Sequence, residues 1–322
     1  MNRKKFLELT TAGIGGSLFG GAVPFTHKPS YIKSPLNSSS DVVVIGAGAF
    51  GCWTALHLAK MGANVTLLDA YGPGNSRSSS GGETRQIQVD AGEHTIYIRM
   101  AIRSHELWLD LEESSGRDLL LPTGRLAMYQ SSELLEENRL KVNQLAEKFD
   151  ITDAEILDQD EIRYRWPQIS SDDLEFALYN PGGVGGGVIR SREACRVVVD
   201  EFEKAGGTFR LAHAEPDFSN SGRLDGLKLP DGETLRADQY LFACGPWLPK
   251  LFPELLKARL EVQRRDVLFY GVPSGDPRFS YPELPNWSLR GSGWYGFPDI
   301  DHRGLKAAPF PDLNSLDPDT DE

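Results

Sequence analysis

Cysteine is scarce in this chain, with three residues in 322: Cys52, Cys195 and Cys244. None sits in a C-x-x-C pair or at metal-ligand spacing from a histidine, so the sequence offers neither a disulfide framework nor a cysteine-built metal centre. All three read as small buried hydrophobes. A surplus of positive charge is also lacking. Lys and Arg number 34 against 46 Asp and Glu, a net charge of −12. The first forty residues carry Arg3, Lys4, Lys5, Lys28 and Lys33 against Glu8, a net of +4, which leaves −16 on the remainder. A body this acidic repels phosphate backbones and anionic lipid, which makes nucleic acid and acidic membrane poor partners. No long unbroken apolar run occurs. The nearest approach, Leu9 to Phe25, follows Glu8 and is interrupted by glycines between Gly13 and Gly21, a poor membrane span.

What is present suits a folded protein of two domains. Apolar residues make up 40% and charged residues 25%, enough for a sizeable core. The first forty residues stand apart from that body. A charged start (Asn2-Arg3-Lys4-Lys5), a dilute apolar middle and a Pro/Ser/Lys exit describe an export signal and linker. The stretch resembles a twin-arginine signal with Lys4 in the second arginine position. Export, to a periplasm, is the expectation; a disordered tail on a cytoplasmic protein is the alternative. No clean small-x-small cleavage site follows, so the signal could remain as an anchor.

The segment Asp41 to Gly51 reads DVVVIGAGAFG. Four consecutive β-formers, Val42 to Ile45, predict a strand buried on both faces of a parallel sheet. Gly46, Gly48 and Gly51 follow at G-x-G-x-x-G spacing. The first makes a tight turn, the second admits a pyrophosphate close to the backbone, and the third lets a helix pack against the strand. That helix is expected from about Ala49 to Met61, its N-terminus directed at phosphate. A second strand, Val65 to Leu68, ends in Asp69, placed to accept hydrogen bonds from ribose hydroxyls. Strand, glycines, helix, strand and terminal acid in order predict a dinucleotide site. The carboxylate argues against NADP and does not separate NAD from FAD.

The next stretch does separate them. A long polar loop, Gly72 to Gln88, contains a Ser-rich run through Ser79 and then Gly82-Glu83-Thr84-Arg85. Later come Thr123-Gly124-Arg125-Leu126, EIRYRWP (161–167), YNPGGVGGGV (179–188), DQYLFACGPW (238–247) and WYGFPDIDHRGLK (294–306). From Asp41 onward these strings, in this order, resemble the flavoprotein amine oxidases of the monomeric sarcosine oxidase and N-methyl-tryptophan oxidase type, in the D-amino acid oxidase superfamily. The resemblance implies FAD, with the Ser-rich run and Thr84 wrapping the flavin and Arg85 lying against its ring. It implies small residues up to Gly245 close to the cofactor, Tyr295 bordering the substrate pocket, and Lys306 beside the flavin helping to activate oxygen. Asp299, Asp301, His302 and Arg303 read as hairpin-turn residues.

The fold so implied is α/β (α+β overall): a Rossmann-like FAD-binding domain with a mostly parallel sheet, 41–122 and 176–251, and an interleaved substrate domain on a mixed or antiparallel sheet, 123–175 and 252–322. A long helix from Glu133 to Phe149 should turn Leu134, Leu135, Val142, Leu145 and Phe149 inward. The implied reaction oxidises the C–N bond of a small amine, with O2 or another electron acceptor taking the electrons. A flavin dehydrogenase and an inactive remnant are the rival readings. Two positions depart from the family pattern: Gln88 replaces a second arginine and Phe310 replaces a histidine. Both changes point to a less polar pocket. The chain ends in DPDTDE where family members continue, which suggests a truncated product.

Overall fold

A computed structural model describes residues 40–89, 95–220, 222–309 and 315–320. The stretch before Ser40, expected to be an export signal, and the Phe310 position lie outside the described residues. Packing divides the chain into two compact units, Met1–Gly72 with Phe202–Cys244, and Pro73–Glu201 with Gly245–Glu322. Compactness thus groups 73–122 and 176–201 with the second unit, where the Arg85–Gln88 and Leu120–Leu121 strands both pair antiparallel with Gly186–Ile189.

The first unit is built on a four-stranded sheet in the order Gln239–Phe242, Asp41–Ile45, Asn64–Asp69, Thr208–Leu211, parallel throughout. Val42 to Ile45 are all buried, as a strand covered on both faces requires. Each such side chain contributes roughly 1.5–3 kcal/mol by leaving water. The helix Ala49–Lys60 crosses between the first two strands and buries Cys52, Ala55, Leu56 and Ala59. On the other side Val43, Ile45 and Leu68 meet Leu227 of a small antiparallel sheet (Glu215–Phe218, Leu224–Lys228, Thr234–Leu235) and Ala214 and Leu229, which flank its strands. The Asp238–Trp247 string therefore does return to the first strand, with Val43 opposite Tyr240 and Ile45 opposite Phe242.

The second unit holds a seven-stranded mixed sheet in the order Leu268–Tyr270, Leu305–Pro309, Trp294–Phe297, Asn286–Arg290, Arg125–Tyr129, Phe176–Asn180, Glu155–Asp158. Only Asn286–Arg290 with Arg125–Tyr129 is a parallel pair. Side chains alternate between faces along each strand. One face sends Leu126, Met128, Ala177 and Leu157 into a core with Ile162, Trp166, Leu174 and Leu284. The short helix Gln159–Arg165 on that side starts at a capping box, Asp158 and Glu161 each bonding the other's backbone N–H.

The opposite face is split. Ala127, Tyr129, Phe176 and Leu178 pack against Leu135 and Val142, the inward side of the helix Leu135–Phe149. Leu145 is buried as the helical spacing predicts, but Leu134 is 46% exposed. It belongs to a preceding 3-10 turn, Ser132–Leu134, capped by Ser131, and so falls out of the helical period. The rest of this face carries Arg125, Ser288, Arg290, Tyr295, Phe297 and Lys306, all of which line one cavity.

Candidate functional site

In the first unit the glycine turn is set by sterics. Gly46 has φ +104°, and a Cβ there would lie 2.4 Å from the Ala243 carbonyl oxygen. A Cβ on Gly51 would lie 1.7 Å from the Gly46 oxygen. Neither position accepts any side chain. Gly48 caps the helix that begins at Ala49 and offers no side-chain hydrogen bond, and the first turn contains no acid. The first turn therefore carries no acidic side chain of its own to oppose an anion. Asp69 is buried, and both its carboxylate oxygens are engaged: Oδ2 accepts from Ala47 N–H at 2.7 Å, and Oδ1 from Tyr71 N–H at 2.7 Å and Gly72 N–H at 2.8 Å. The acid thus does more than face a ribose: it ties the end of its strand to the glycine turn. Backbone N–H groups thus take at least three of the four acceptor sites that the two oxygens offer. Cys244, next to Ala243, has its thiol pushed up to about 12, first by burial and then by the Asp69 charge, which leaves it uncharged.

The second unit brings together Thr84, Arg85, Tyr295 and Lys306. Lys306 is 5% exposed and donates to the Thr84 carbonyl at 2.8 Å and the Thr84 hydroxyl at 3.0 Å. Its ammonium also sits 4.6 Å from the Phe297 ring centroid. Burial first, and then the Arg85 charge, lower it from 10.5 to about 7, with Glu83 acting the other way. Arg85 is clamped by its own loop: Nε and Nη2 donate to the Ser79 carbonyl and Nη1 to the Thr84 carbonyl. Burial lowers its pKa too. Ser79 therefore contributes its backbone oxygen here, while its side chain is exposed. Tyr295 meets Phe297 edge-on and lies under the Arg265 guanidinium. Gly245 (φ +49°) opens the turn Gly245–Trp247 on the rim of the same cavity, which has a volume of about 1090 Å³. Asp301 and His302 do occupy the turn between two strands, both at positive φ. Asp299 closes it by accepting from Gly304 N–H, and Arg303 pairs with Glu83.

Comparison with known proteins agrees with this geometry. The family described as FAD dependent oxidoreductase matches residues 41–322. This chain belongs to that family. The oxidoreductase is 30% identical over 295 residues to the monomeric sarcosine oxidase of Bacillus sp. (strain B-0618), covering 88% of this chain and 72% of that one. It is 29% identical to the human peroxisomal sarcosine oxidase, covering 87% and 70%. Among solved structures, a thermally stable mutant of fructosyl peptide oxidase shares its fold with a TM-score of 0.71 at 20% identity, covering 87% and 70%. Its cofactor is FAD, and it is an FAD-dependent amine oxidoreductase. The glycine turn fits the group, because Gly46 and Gly51 leave no room for a Cβ and the first turn of the helix that follows carries no acidic side chain.

In the second-unit cavity of the FAD oxidoreductase, Gln88 stands where the resemblance would put an arginine, a change expected to make the pocket less polar. Gln88 does line the cavity. Yet the wall holds seven cationic side chains against two carboxylates, Glu83 and Glu261. Arg125 and Arg290, which the sequence did not single out as site residues, are among them. Their signal was present only as arginines inside strand-like strings, and it acquires meaning once the two strands are known to be neighbours.

Proposed function

We propose that the protein oxidises the C–N bond of a secondary amine or N-methyl amino acid and uses O2 as electron acceptor, releasing H2O2. FAD held at the glycine turn of Gly46, Gly48 and Gly51 would supply the redox chemistry, accepting a hydride equivalent from the carbon beside the nitrogen and passing two electrons to O2, which with two protons would leave as H2O2 while the imine would hydrolyse. The observation that carries the reading is Lys306, a cation 5% exposed and anchored on Thr84 in the cavity wall. A fixed ammonium in a dry site stabilises negative charge developing on oxygen far more than it would in water. With its pKa near 7 it carries that charge at and below neutral pH. Arg85, held on the Ser79 and Thr84 carbonyls, supplies a second positive charge from the same loop. Tyr295 and Phe297 give the amine an aromatic wall. The cationic surroundings favour the neutral amine, the form that can release hydride, over its ammonium form.

The test is anaerobic titration of the purified flavin-loaded chain with a panel of N-methyl amino acids and simple secondary amines, followed by air. Bleaching of the flavin bands, then recovery in air with one H2O2 per amine consumed, is the expected result. Bleaching that recovers only with an added dye or quinone would make the protein a dehydrogenase. A loaded protein that no secondary amine bleaches would defeat the reading.

A further inference from the structure

The reading of this protein as an amine oxidoreductase leaves open what holds the rest of the substrate, since the family's second arginine is Gln88 here. The mixed sheet supplies a different set of cations. In the parallel pair, Asn286 is opposite Arg125 and Arg290 is opposite Tyr129. Asn286, Ser288 and Arg290 therefore share a face with Arg125, because alternate residues along a strand point the same way. Ser288 lies between the two arginines, two residues before Arg290 and diagonally across from Arg125, a separation of about 7–8 Å between neighbouring strands. It is also directly opposite Tyr295 on the next strand, which places it beside the aromatic wall.

All three residues line the cavity. Arg125 is 3% exposed and Ser288 5%. The Ser288 hydroxyl and the Arg290 Nε are buried and make no hydrogen bond among the described residues. Nor does Arg290 form an ion pair among them. Leaving a buried hydroxyl and a guanidinium N–H without acceptors is destabilising, more so for the charged group. Such groups call for a partner, and in a cavity wall a bound ligand can supply it. Their chemistry is one-sided: a guanidinium only donates, and it matches the two oxygens of a carboxylate. The remaining lining adds to the bias, with seven cations against two acids in a chain of net charge −12. The other two cations on the reacting side, Lys306 and Arg85, are already tied to Thr84 and Ser79.

We propose that Arg125, Ser288 and Arg290 form an anion-binding pole in the substrate cavity, which takes a carboxylate of the amine substrate. The pole selects acidic amines over neutral ones of the same size and takes over the role that position 88 lacks. The proposal rests on the amine-oxidation reading only for the identity of the bound molecule as substrate. Binding of the acid group itself requires no turnover.

Succinate, a small dicarboxylate with no oxidisable amine, serves as the probe. Its affinity for the flavin-loaded full chain is measured by calorimetry and by the shift it causes in the flavin absorption bands. The variants are Arg290→Gln, Arg290→Lys, Ser288→Ala and Arg125→Gln. Arg290 is only half-buried, so Arg290→Gln keeps the test open if the Arg125 variant fails to fold. Wild type should bind succinate, Arg290→Gln should weaken it roughly tenfold or more, and Arg290→Lys should recover part of the loss. In parallel, sarcosine is compared with dimethylamine, which lacks the carboxylate: preference for sarcosine should collapse in Arg290→Gln through KM with little change in kcat. Succinate that binds wild type and Arg290→Gln equally, or does not bind at all, overturns the pole. If succinate binds as expected while no amine reduces the flavin, the pole stands and the amine-oxidation reading falls.

Discussion

Replacing Lys306 by methionine should stabilise the cofactor-free protein at neutral and acidic pH and cease to do so in alkali. Burial holds the Lys306 ammonium at a folded-state pKa of about 7 against an ordinary 10.5. Below pH 7 the ammonium is charged in both folded and unfolded chains, and the folded state bears the whole desolvation cost. Between pH 7 and 10.5 the unfolded chain holds more protons than the folded one, so wild-type stability rises with pH and the cost disappears. A difference of three to four pKa units corresponds to about 5 kcal/mol. The hydrogen bonds to Thr84 that methionine cannot make return about 2 kcal/mol of that, leaving a net gain of about 3 kcal/mol. For a chain of this size that is about 5 °C in Tm. Thermal unfolding followed by circular dichroism from pH 6 to pH 10.5 is the assay. The Lys306→Met advantage should be largest at pH 6 and vanish or reverse by pH 10.5. An advantage that stays constant across this range would refute the buried, depressed lysine, and so would a variant that is less stable at pH 6.

Two further predictions concern the dinucleotide turn. Gly46→Ala places a methyl 2.4 Å from the Ala243 oxygen at φ +104°, a change costing on the order of 3 kcal/mol, and should yield protein with flavin absorbance lost or strongly reduced; full flavin loading would contradict the close approach. Asp69→Asn substitutes an amide nitrogen for one of the oxygens that accept from Ala47, Tyr71 and Gly72, which should cost about 1.5–3 kcal/mol in stability and weaken FAD, as read by quenching of flavin fluorescence on binding. Unchanged FAD affinity and Tm in Asp69→Asn would show that the carboxylate does not organise the turn.

What the sequence disclosed depended on how far apart the cooperating residues lie along the chain. The dinucleotide turn was legible because its parts are consecutive: the apolar run, the glycines and Asp69 occur within one strand-helix-strand passage, and each residue type has one steric or electrostatic reason to be there. Lys306 and Arg85 were legible in a weaker sense, through the strings that surround them, and the hydrogen bonds that join Lys306 to Thr84 could not be read from either string alone. Leu134 misled because a 3-10 turn ahead of the helix shifts the period by which inward residues are counted.

The pair Arg125 and Arg290 marks the limit of such reading. Each sits in a strand-like string, Arg125-Leu126-Ala127-Met128-Tyr129 and Asn286-Trp287-Ser288-Leu289-Arg290, whose alternation is local and whose inner face is not. An isolated arginine at a strand end is ordinarily a solvated cation, because burying an unpaired guanidinium costs several kcal/mol. That ordinary reading fails here only because the two strands run side by side in parallel, a pairing set by tertiary structure. The register then turns two unremarkable arginines toward one cavity with a buried serine between them. A second effect compounds the first. The absence of an arginine at Gln88 is visible in the sequence and suggests a loss of polarity, whereas its replacement on a different strand is visible only in space. Charge in a binding cavity is a property of the whole wall, so a substitution at one position cannot reveal its sign.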